Sequence, residues 1–501
     1  MRLARAFERL CHEWPELGIF AGADIATLSL LAPDAVQARI EAVLALADTA
    51  ESPSDERLLR QASGFSSTIF AQGRWKKNPD VLSDWSALLL RQALLAERSA
   101  LEAERLASML VSIPRALAHA LDEREHPDPR ALLLARDACL GFRTQLDALA
   151  DLVPPAALQT ALLAVARHQA LLDALAPGEP LGHVDDLAQL LRARGIETKL
   201  ETLATLFDAE LARLQHDLDE LRRTSDSLSP AIGAELTRET LRDDLMREAL
   251  SRELELTAAL WKKCGLPSCE TRFEVLPVPA GLASTIPHAA VFSPRPLLAG
   301  EPAIVVLNAD SPLARAPHRR LLLAVHEGAP GHALQAARAN AADRPWRAVD
   351  LCPIPGAGAG VFAGELMEGW AHFAEGRFAE LFPRDLSLQR TVREEQLWRA
   401  ARARADLGFA RGEFDADRAA QFLVEKAALS PEDARSEVDD FRLNPSYGLS
   451  YTLGRLMLER MRSAAPVADE RMIYESLLDR GLAPLPSSRL GQNPPGERSR
   501  S

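Results

Sequence analysis

The chain contains 501 residues, of which 47% are hydrophobic and 26% are charged, and its formal net charge is −13. This composition is ordinary for a folded globular protein and excludes a fibrous or disordered class. The acidic balance and the lack of a lysine- or arginine-rich block argue against a nucleic-acid partner. No apolar run of about 18 residues occurs, so no membrane span is expected. Charged residues also interrupt the N-terminal segment, and we therefore expect a soluble, cytoplasmic protein.

Residues 35–265 form successive amphipathic segments in which Leu and Ala recur every three or four positions, as in DAVQARIEAVLALADTA. This spacing predicts a scaffold of helices. Between 271 and 308 the pattern changes to short β-branched or aromatic segments, TRFEVLPVP, AAVFSP and AIVVLN, separated by Pro and Gly. These predict the strands of a small sheet, and AIVVLN could present its edge to an extended peptide. Helical periodicity returns from residue 318 onward.

The changes in pattern predict three regions along the chain. Residues 1–265 are expected to form a helical scaffold lobe. Residues 266–484 are expected to form a metal-site lobe with the small sheet and the catalytic helices. Residues 485–501 are rich in Pro, Ser and Arg and predict a mobile tail.

A modified metal-binding motif lies in LLLAVHEGAPGHALQ, where His326, Glu327 and His332 fall within seven residues. In the usual HExxH form the two histidines are four apart on one helix, and both reach a single zinc ion. Six residues would place the second histidine roughly 240° around a regular helix and about 9 Å along it. Pro330 and Gly331 permit a local bulge that brings His332 back towards His326. Two unrelated histidines are the alternative.

A third ligand is expected from GELMEGWAHFAEGRF, in which acidic and histidine side chains recur at three- and four-residue spacing: Glu365, Glu368, His372 and Glu375. This spacing places several donors on one helix face. Glu368 is the first choice as ligand, and His372 or Glu375 is expected to orient a ligand through a hydrogen bond. The alternative is a solvated acidic face on a helix whose other side packs.

Four segments in a fixed order, HEGAPGHALQ, EGWAHFAE, RAARARADLG and NPSYGLSYTLGRL, resemble the bacterial family called domain of unknown function 885 (DUF885). The resemblance extends over nearly the whole chain. It implies a gluzincin-like zinc metallopeptidase with a mainly α, helical, bilobed fold and a small β-sheet beside the active-site helix. By position, the family's metal-site motifs fall on His326, Glu327, His332 and Glu368.

The sequence departs from the family pattern at three positions. Ala333 replaces the second histidine of an HH pair, which leaves His332 as the available imidazole. Ala410 replaces the histidine of a DTGLH element. Tyr447 stands where a small Gln-Ala turn is usual. These departures spare the expected ligands and bear instead on the choice of substrate.

Candidate groups for the transition state and the substrate follow the ligand motifs. The chain has only three tyrosines, and Tyr447 and Tyr451 are four residues apart. Tyr451 matches a family tyrosine and is the expected donor to an oxyanion, while Tyr447 is expected to line the pocket. Two aromatic residues at a helix seam are the alternative. Arg455 and Arg442 could bind a substrate carboxylate or form structural ion pairs, and His288 could contact substrate.

The sequence therefore predicts a hydrolase that cleaves amide (peptide) bonds with one Zn²⁺ per chain and Glu327 as general base. A peptide or a small amide is the expected partner. Two alternatives remain open: hydrolysis of a non-peptide amide in a small metabolite, and a metal-free binding protein on a degenerate peptidase scaffold. Nothing in the sequence predicts an oligomeric state.

Overall fold

The fold is mainly helical, with one small sheet, as expected. The computed structural model describes residues 2–29, 31–124, 126–182, 187–225, 243–283, 286–298, 300–354, 361–466 and 469–483. The predicted tail, 485–501, lies outside these residues.

The helices and strands follow one another along the chain in three groups. The helices that precede the sheet are α1 (Arg2–Glu13), α2 (Pro15–Ala21), α3 (Pro33–Ala47), α4 (Pro53–Ala71), α5 (Leu82–Ala96), α6 (Ala100–Leu117), α7 (Pro129–Asp147), α8 (Pro155–Ala174), α9 (Leu187–Ala193), α10 (Leu200–Ser225) and α11 (Asp243–Lys263). The strands are β1 (Phe273–Pro277), β2 (Ala289–Phe292) and β3 (Ala303–Leu307). The later helices are α12 (Pro312–Arg315), α13 (Pro317–Glu327), α14 (His332–Ala341), α15 (Gly364–Ala379), α16 (Leu386–Ala410), α17 (Ala416–Ala427), α18 (Pro431–Leu443), α19 (Leu449–Ser463) and α20 (Glu470–Leu478).

Tertiary contacts divide the chain into two units, and each unit is assembled from separate stretches of sequence. Unit 1 comprises Met1–Leu181, Thr271–Ala314 and Ala336–Phe362, and unit 2 comprises Gly182–Glu270, Arg315–Gln335 and Ala363–Ser501. This division differs from the predicted boundary after residue 265, which grouped the sheet with the metal-site residues. The strands belong to unit 1, whereas His326, His332 and Glu368 belong to unit 2. A change in local composition does not reveal that the chain passes repeatedly from one unit to the other.

The three strands pair in the order β1-β3-β2, with β1 parallel and β2 antiparallel to β3. All five residues of β3 are buried, in agreement with its continuous apolar sequence. The suggestion that AIVVLN presents a free edge is wrong, because β3 is the central strand and both of its edges are already paired. Strand addition to β3 is therefore excluded in this fold.

The core of unit 1 is formed largely by the apolar faces of α5 to α8. The sequence specifies where α7 begins: Pro129 occupies the first turn, and the Asp128 carboxylate accepts hydrogen bonds from the amides of Arg130 and Ala131 at 2.8 and 3.1 Å. A carboxylate in this position satisfies amides that have no partner within the helix. The buried face of α7 then packs against α5 and α8.

In unit 2, α15 packs along α19, and α16 packs against both α10 and α19. Almost every residue of α15 is buried, as expected for the central helix of a bundle. Two glycines allow α15 and α19 to approach closely. A Cβ on Gly369 would lie 2.4 Å from the Cα of Gly454, and a Cβ on Gly454 would lie 1.9 Å from the Glu365 carbonyl oxygen. This close approach holds Glu368 next to the start of α19.

None of the helices in the described part of the chain combines the length and the apolar character that a membrane crossing requires.

His168 makes the stability of unit 1 sensitive to acid. It is 2% exposed, and burial lowers its pKa from 6.5 to about 4, assisted by the positive charge of Arg124. Because the unfolded chain binds the proton first, stability present above pH 6.5 is lost as the pH falls towards 4. The loss of folding free energy from this residue is about 3 kcal/mol.

His168→Leu should show a smaller decrease in urea midpoint across this pH range than the wild type. Exposed His119→Gln is the control, and equal pH dependence in wild type and His168→Leu would contradict the prediction.

Candidate metal centre

The two histidines of the motif lie on two helices, and the distortion predicted at Pro330 and Gly331 takes the form of a turn between them. Helix α13 ends at Glu327, and α14 begins at His332. The intervening turn is closed by a hydrogen bond from the Gly331 amide to the Val325 carbonyl at 2.9 Å. A Pro-containing segment cannot continue the backbone hydrogen bonds of α13, so the chain stops one helix and starts another. The angular mismatch of a six-residue spacing then disappears.

The turn that follows α13 fits tightly against that helix. A Cβ on Gly331 would lie 1.9 Å from the His326 carbonyl oxygen, which leaves room for glycine only. On the other side, the indole of Trp370 donates a hydrogen bond to the Pro330 carbonyl at 2.8 Å. This contact ties the turn to α15, the helix that carries Glu368. As a result, the rings of His326 and His332 lie 4.7 Å apart between centroids at an interplanar angle of 90°.

Glu368 completes a cluster of three side chains of metal-ligand type. Its Oε2 atom lies 3.4 Å from His326 Nε2 and 3.5 Å from His332 Nε2. The three ligand atoms all lie within 4.8 Å of one another. Glu368 is 6% exposed, yet its Oε2 accepts no hydrogen bond from any described residue. Two imidazoles and a carboxylate with converging, otherwise unused atoms fit the ligand set of a zinc ion.

A buried carboxylate orients the first histidine. Glu375 accepts a hydrogen bond from His326 Nδ1 at 2.6 Å, so that Nε2 of the same ring points at Glu368. The other oxygen of Glu375 lies 3.3 Å from His372 Nδ1, and Arg399 lies 3.6 Å from Glu375. A carboxylate on the distal nitrogen is the usual way in which a protein fixes the orientation of a metal-binding imidazole.

The charge around His326 favours a cation at this position. Burial opposes protonation of His326, but the carboxylates of Glu368 and Glu375 outweigh it and raise its pKa to about 10. Burial would raise the pKa of Glu368, and the neighbouring imidazoles of His332 and His326 instead hold it well below its usual value. His372 differs, because burial lowers its pKa to about 3 and keeps its ring neutral. The centre therefore holds ionised carboxylates that a bound cation would neutralise.

Both predicted tyrosines lie at the centre. The Tyr447 hydroxyl donates a hydrogen bond to Glu368 Oε1 at 2.8 Å, and the Tyr451 hydroxyl lies 3.2 Å from that of Tyr447. The ring of Tyr451 is nearly parallel to that of His326, with centroids 6.2 Å apart. Burial and the charge of Glu368 raise the pKa of both tyrosines above the ordinary value, so both are neutral donors at physiological pH. The sequence alone predicted no contact between Glu368 and either tyrosine.

Four residues of this region were given no role from the sequence alone. The guanidinium groups of Arg399 and Arg402 lie over the Tyr451 ring at 5.5 and 5.6 Å from its centroid. Asp406 and Arg194 bind the turn that carries Tyr447. Arg399, Arg402 and Asp406 recur at three- and four-residue intervals within RAARARADLG. That spacing could have indicated a shared helix face.

Several predicted residues lie away from the three ligand atoms. Arg455 is completely buried and forms ion pairs with Glu210 and with Glu459. Both of its terminal nitrogens are therefore engaged in ion pairs within unit 2. Arg442 pairs with Asp439 at 2.8 Å. His288 belongs to unit 1, where Nδ1 lies 2.8 Å from the Ser311 hydroxyl, and its predicted contact with substrate stays a prediction.

Glu365, the first acidic residue of the third-ligand segment, pairs with Arg194 rather than with a histidine of the centre. Two positions that depart from the family pattern are buried. Ala333 is completely buried in α14, and Ala410 packs in an apolar cluster with residues that include Phe207 and Leu453.

The fold and the site define a mainly helical protein with a largely buried His-His-Glu cluster of metal-ligand type. The chain belongs to the family described as "Bacterial protein of unknown function (DUF885)", which matches residues 26–487. No curated protein matches the sequence.

Two of the solved structures that match this chain share its fold. One, titled a "putative lipoprotein" from Colwellia psychrerythraea, has a TM-score of 0.72 at 14% identity and covers 96% of this chain and 98% of its own. The other, titled a "putative lipoprotein of unknown function" from Shewanella oneidensis, has a TM-score of 0.66 at 13% identity and covers 96% and 97%.

The turn between α13 and α14 can be tested with Gly331→Ala. The added methyl group would overlap the His326 carbonyl oxygen, so unfolding should require roughly 2 kcal/mol less free energy. If the cluster binds zinc, as proposed below, displacement of His332 should also reduce zinc retention. Gly64→Ala is the matched control, because a Cβ there meets nothing within 4 Å and an exposed helical site should gain up to ~1 kcal/mol. Urea unfolding and metal analysis measure both effects. Unchanged stability and zinc content in Gly331→Ala would contradict the proposed tight fit.

Proposed function

We propose that this protein is a zinc-dependent hydrolase that cleaves amide bonds, with His326, His332 and Glu368 as the ligands of one zinc ion. The proposal is supported by the convergence of three ligand atoms within 4.8 Å, two of them on buried residues. Glu327, which directly follows His326, has a carboxylate with no partner among the described residues. Two imidazoles and one carboxylate are a ligand set of hydrolytic zinc enzymes. When bound, zinc supplies Lewis acidity, which polarises a carbonyl group and lowers the pKa of water.

Glu327 is the proposed general base. It directly follows His326 at the end of α13 and is 7% exposed. Among the described residues, its carboxylate has no hydrogen-bond or ion-pair partner, in contrast to Glu375 and Glu368. A carboxylate that is buried and uncommitted can accept a proton from the attacking water and pass it to the leaving amine nitrogen. The position of Glu327 beside a ligand histidine supports this role.

Tyr451 is the proposed donor to the oxyanion of the tetrahedral intermediate. Its hydroxyl lies 3.2 Å from the hydroxyl of Tyr447, which donates a hydrogen bond to Glu368. Its ring stacks on the ring of His326 and also lies against the guanidinium of Arg399. A neutral phenol held in this way can turn its hydroxyl towards a developing negative charge without a large loss of conformational entropy.

We propose peptides as the substrate class. Among the described residues near the centre, the arginines are engaged with carboxylates: Arg399 with Glu395 at 2.6 Å and Arg402 with Glu437 at 2.6 Å. Recognition of a peptide by its backbone amides does not need a free arginine. A panel of dipeptides, tripeptides and acyl amides tests this choice, and selective turnover of non-peptide amides would favour the metabolite hydrolase instead.

Replacing Glu327 by Gln should separate metal binding from catalysis. The substitution removes the proton acceptor and leaves both histidines and Glu368 in place, so zinc content should stay at one per chain. Turnover of a cleaved peptide should fall by roughly 10²–10⁴-fold. Glu220→Gln, at an exposed position on α10, controls for the loss of one negative charge.

Two results would count against the proposal in different ways. Wild-type turnover by Glu327→Gln would remove the assigned mechanism. Absence of stoichiometric zinc from the wild type, even after reconstitution, would favour a metal-free binding protein on the same fold.

A further inference from the structure

The two carboxylate oxygens of Glu368 have different surroundings. Oε2 faces the Nε2 atoms of His326 and His332 at 3.4 and 3.5 Å and accepts no hydrogen bond from any described residue. Oε1 accepts the hydroxyl proton of Tyr447 at 2.8 Å. One oxygen is therefore available to a cation between the imidazoles, and the other is already committed to a donor.

The difference between the two oxygens matters because a carboxylate can bind a metal ion through one oxygen or through both. A hydrolytic zinc centre uses three protein ligands and keeps a further position open for water or substrate. Binding through both oxygens of Glu368 would fill or crowd that position. A hydroxyl that donates to Oε1 competes with the metal for the lone pairs of that atom and so favours binding through Oε2 alone.

The backbone on both sides of Tyr447 is fixed by one buried side chain. The amides of Ser446 and Gly448 donate to the two oxygens of Asp406, at 3.1 and 3.0 Å. Asp406 is completely buried in α16. Arg194 adds a third contact, because it donates to the Ser446 carbonyl at 2.6 Å. The turn therefore has little freedom to move the Tyr447 hydroxyl away from Glu368.

We propose that Tyr447 and Asp406 are positioning residues that keep Glu368 bound to the metal through a single oxygen and thereby preserve the position used by water and substrate. Tyr447 acts directly on Glu368, and Asp406 acts through Tyr447. The inference rests on the proposed metal centre. It also gives a function to Tyr447, one of the residues in which this chain departs from its family pattern.

Cobalt substitution tests the inference without reference to any substrate. The apo protein, its Tyr447→Phe variant and its Asp406→Asn variant are titrated with Co²⁺, and the visible d–d absorption is recorded. In Tyr447→Phe both oxygens of Glu368 become available, so the coordination number should rise and the absorption should fall in intensity. Asp406→Asn should shift the spectrum in the same direction.

A double variant and a matched control make the test specific. If Asp406 acts through Tyr447, Asp406→Asn should add no spectral change in the Tyr447→Phe background. Tyr474→Phe is the control, because Tyr474 is a buried tyrosine that donates to another carboxylate, Glu470, at 2.6 Å. It should keep the wild-type spectrum.

Each outcome bears on a different claim. A Tyr447→Phe spectrum identical to the wild type, or an equal change in Tyr474→Phe, overturns the inference and leaves the metal centre standing. An additional change from Asp406→Asn in the double variant overturns the part assigned to Asp406. Failure of the wild type to bind stoichiometric Co²⁺ overturns the metal centre and this inference together.

Discussion

The site depends on the burial of the Glu368 carboxylate. Moving a charged group out of water is costly unless hydrogen bonds or opposite charges compensate for the lost hydration. Compensation for Glu368 comes from three groups: an imidazole on α13, an imidazole on α14, and the hydroxyl of Tyr447 in the turn before α19. Each of these contacts requires a particular placement of the backbone, so the architecture of unit 2 around the centre follows from how this carboxylate is accommodated.

Two close backbone approaches provide that placement. The turn after α13 brings His332 opposite His326, and only glycine fits at position 331. Gly369 and Gly454 allow α15 and α19 to touch, which brings Glu368 within reach of Tyr447. Glu375, about two turns further along α15 than Glu368, then orients His326 and is itself held by Arg399. Helices therefore carry His326, His332 and Glu368, as expected for a site whose side chains are held in place by the fold.

The sequence could predict the parts of this arrangement that depend on local pattern. Helical periodicity, the apolar segments of the sheet and the family membership were all accessible from it, and so was the grouping of His326, His332 and Glu368. Contacts between distant segments were not. The pairing of β3 on both edges, the ion pair of Arg455 with Glu210 and the anchoring of Ser446 and Gly448 by Asp406 depend on tertiary packing. Periodicity along one segment carries no information about such partners.

We propose that His326, His332 and Glu368 hold one zinc ion, and anomalous diffraction at the zinc absorption edge can locate that ion. Crystals of the full chain grown with one equivalent of zinc should give a single strong anomalous peak. This peak should lie about 2.0–2.2 Å from the Nε2 atoms of both histidines and from Oε2 of Glu368. No peak between these three atoms, or a peak elsewhere in the molecule only, would contradict the proposal.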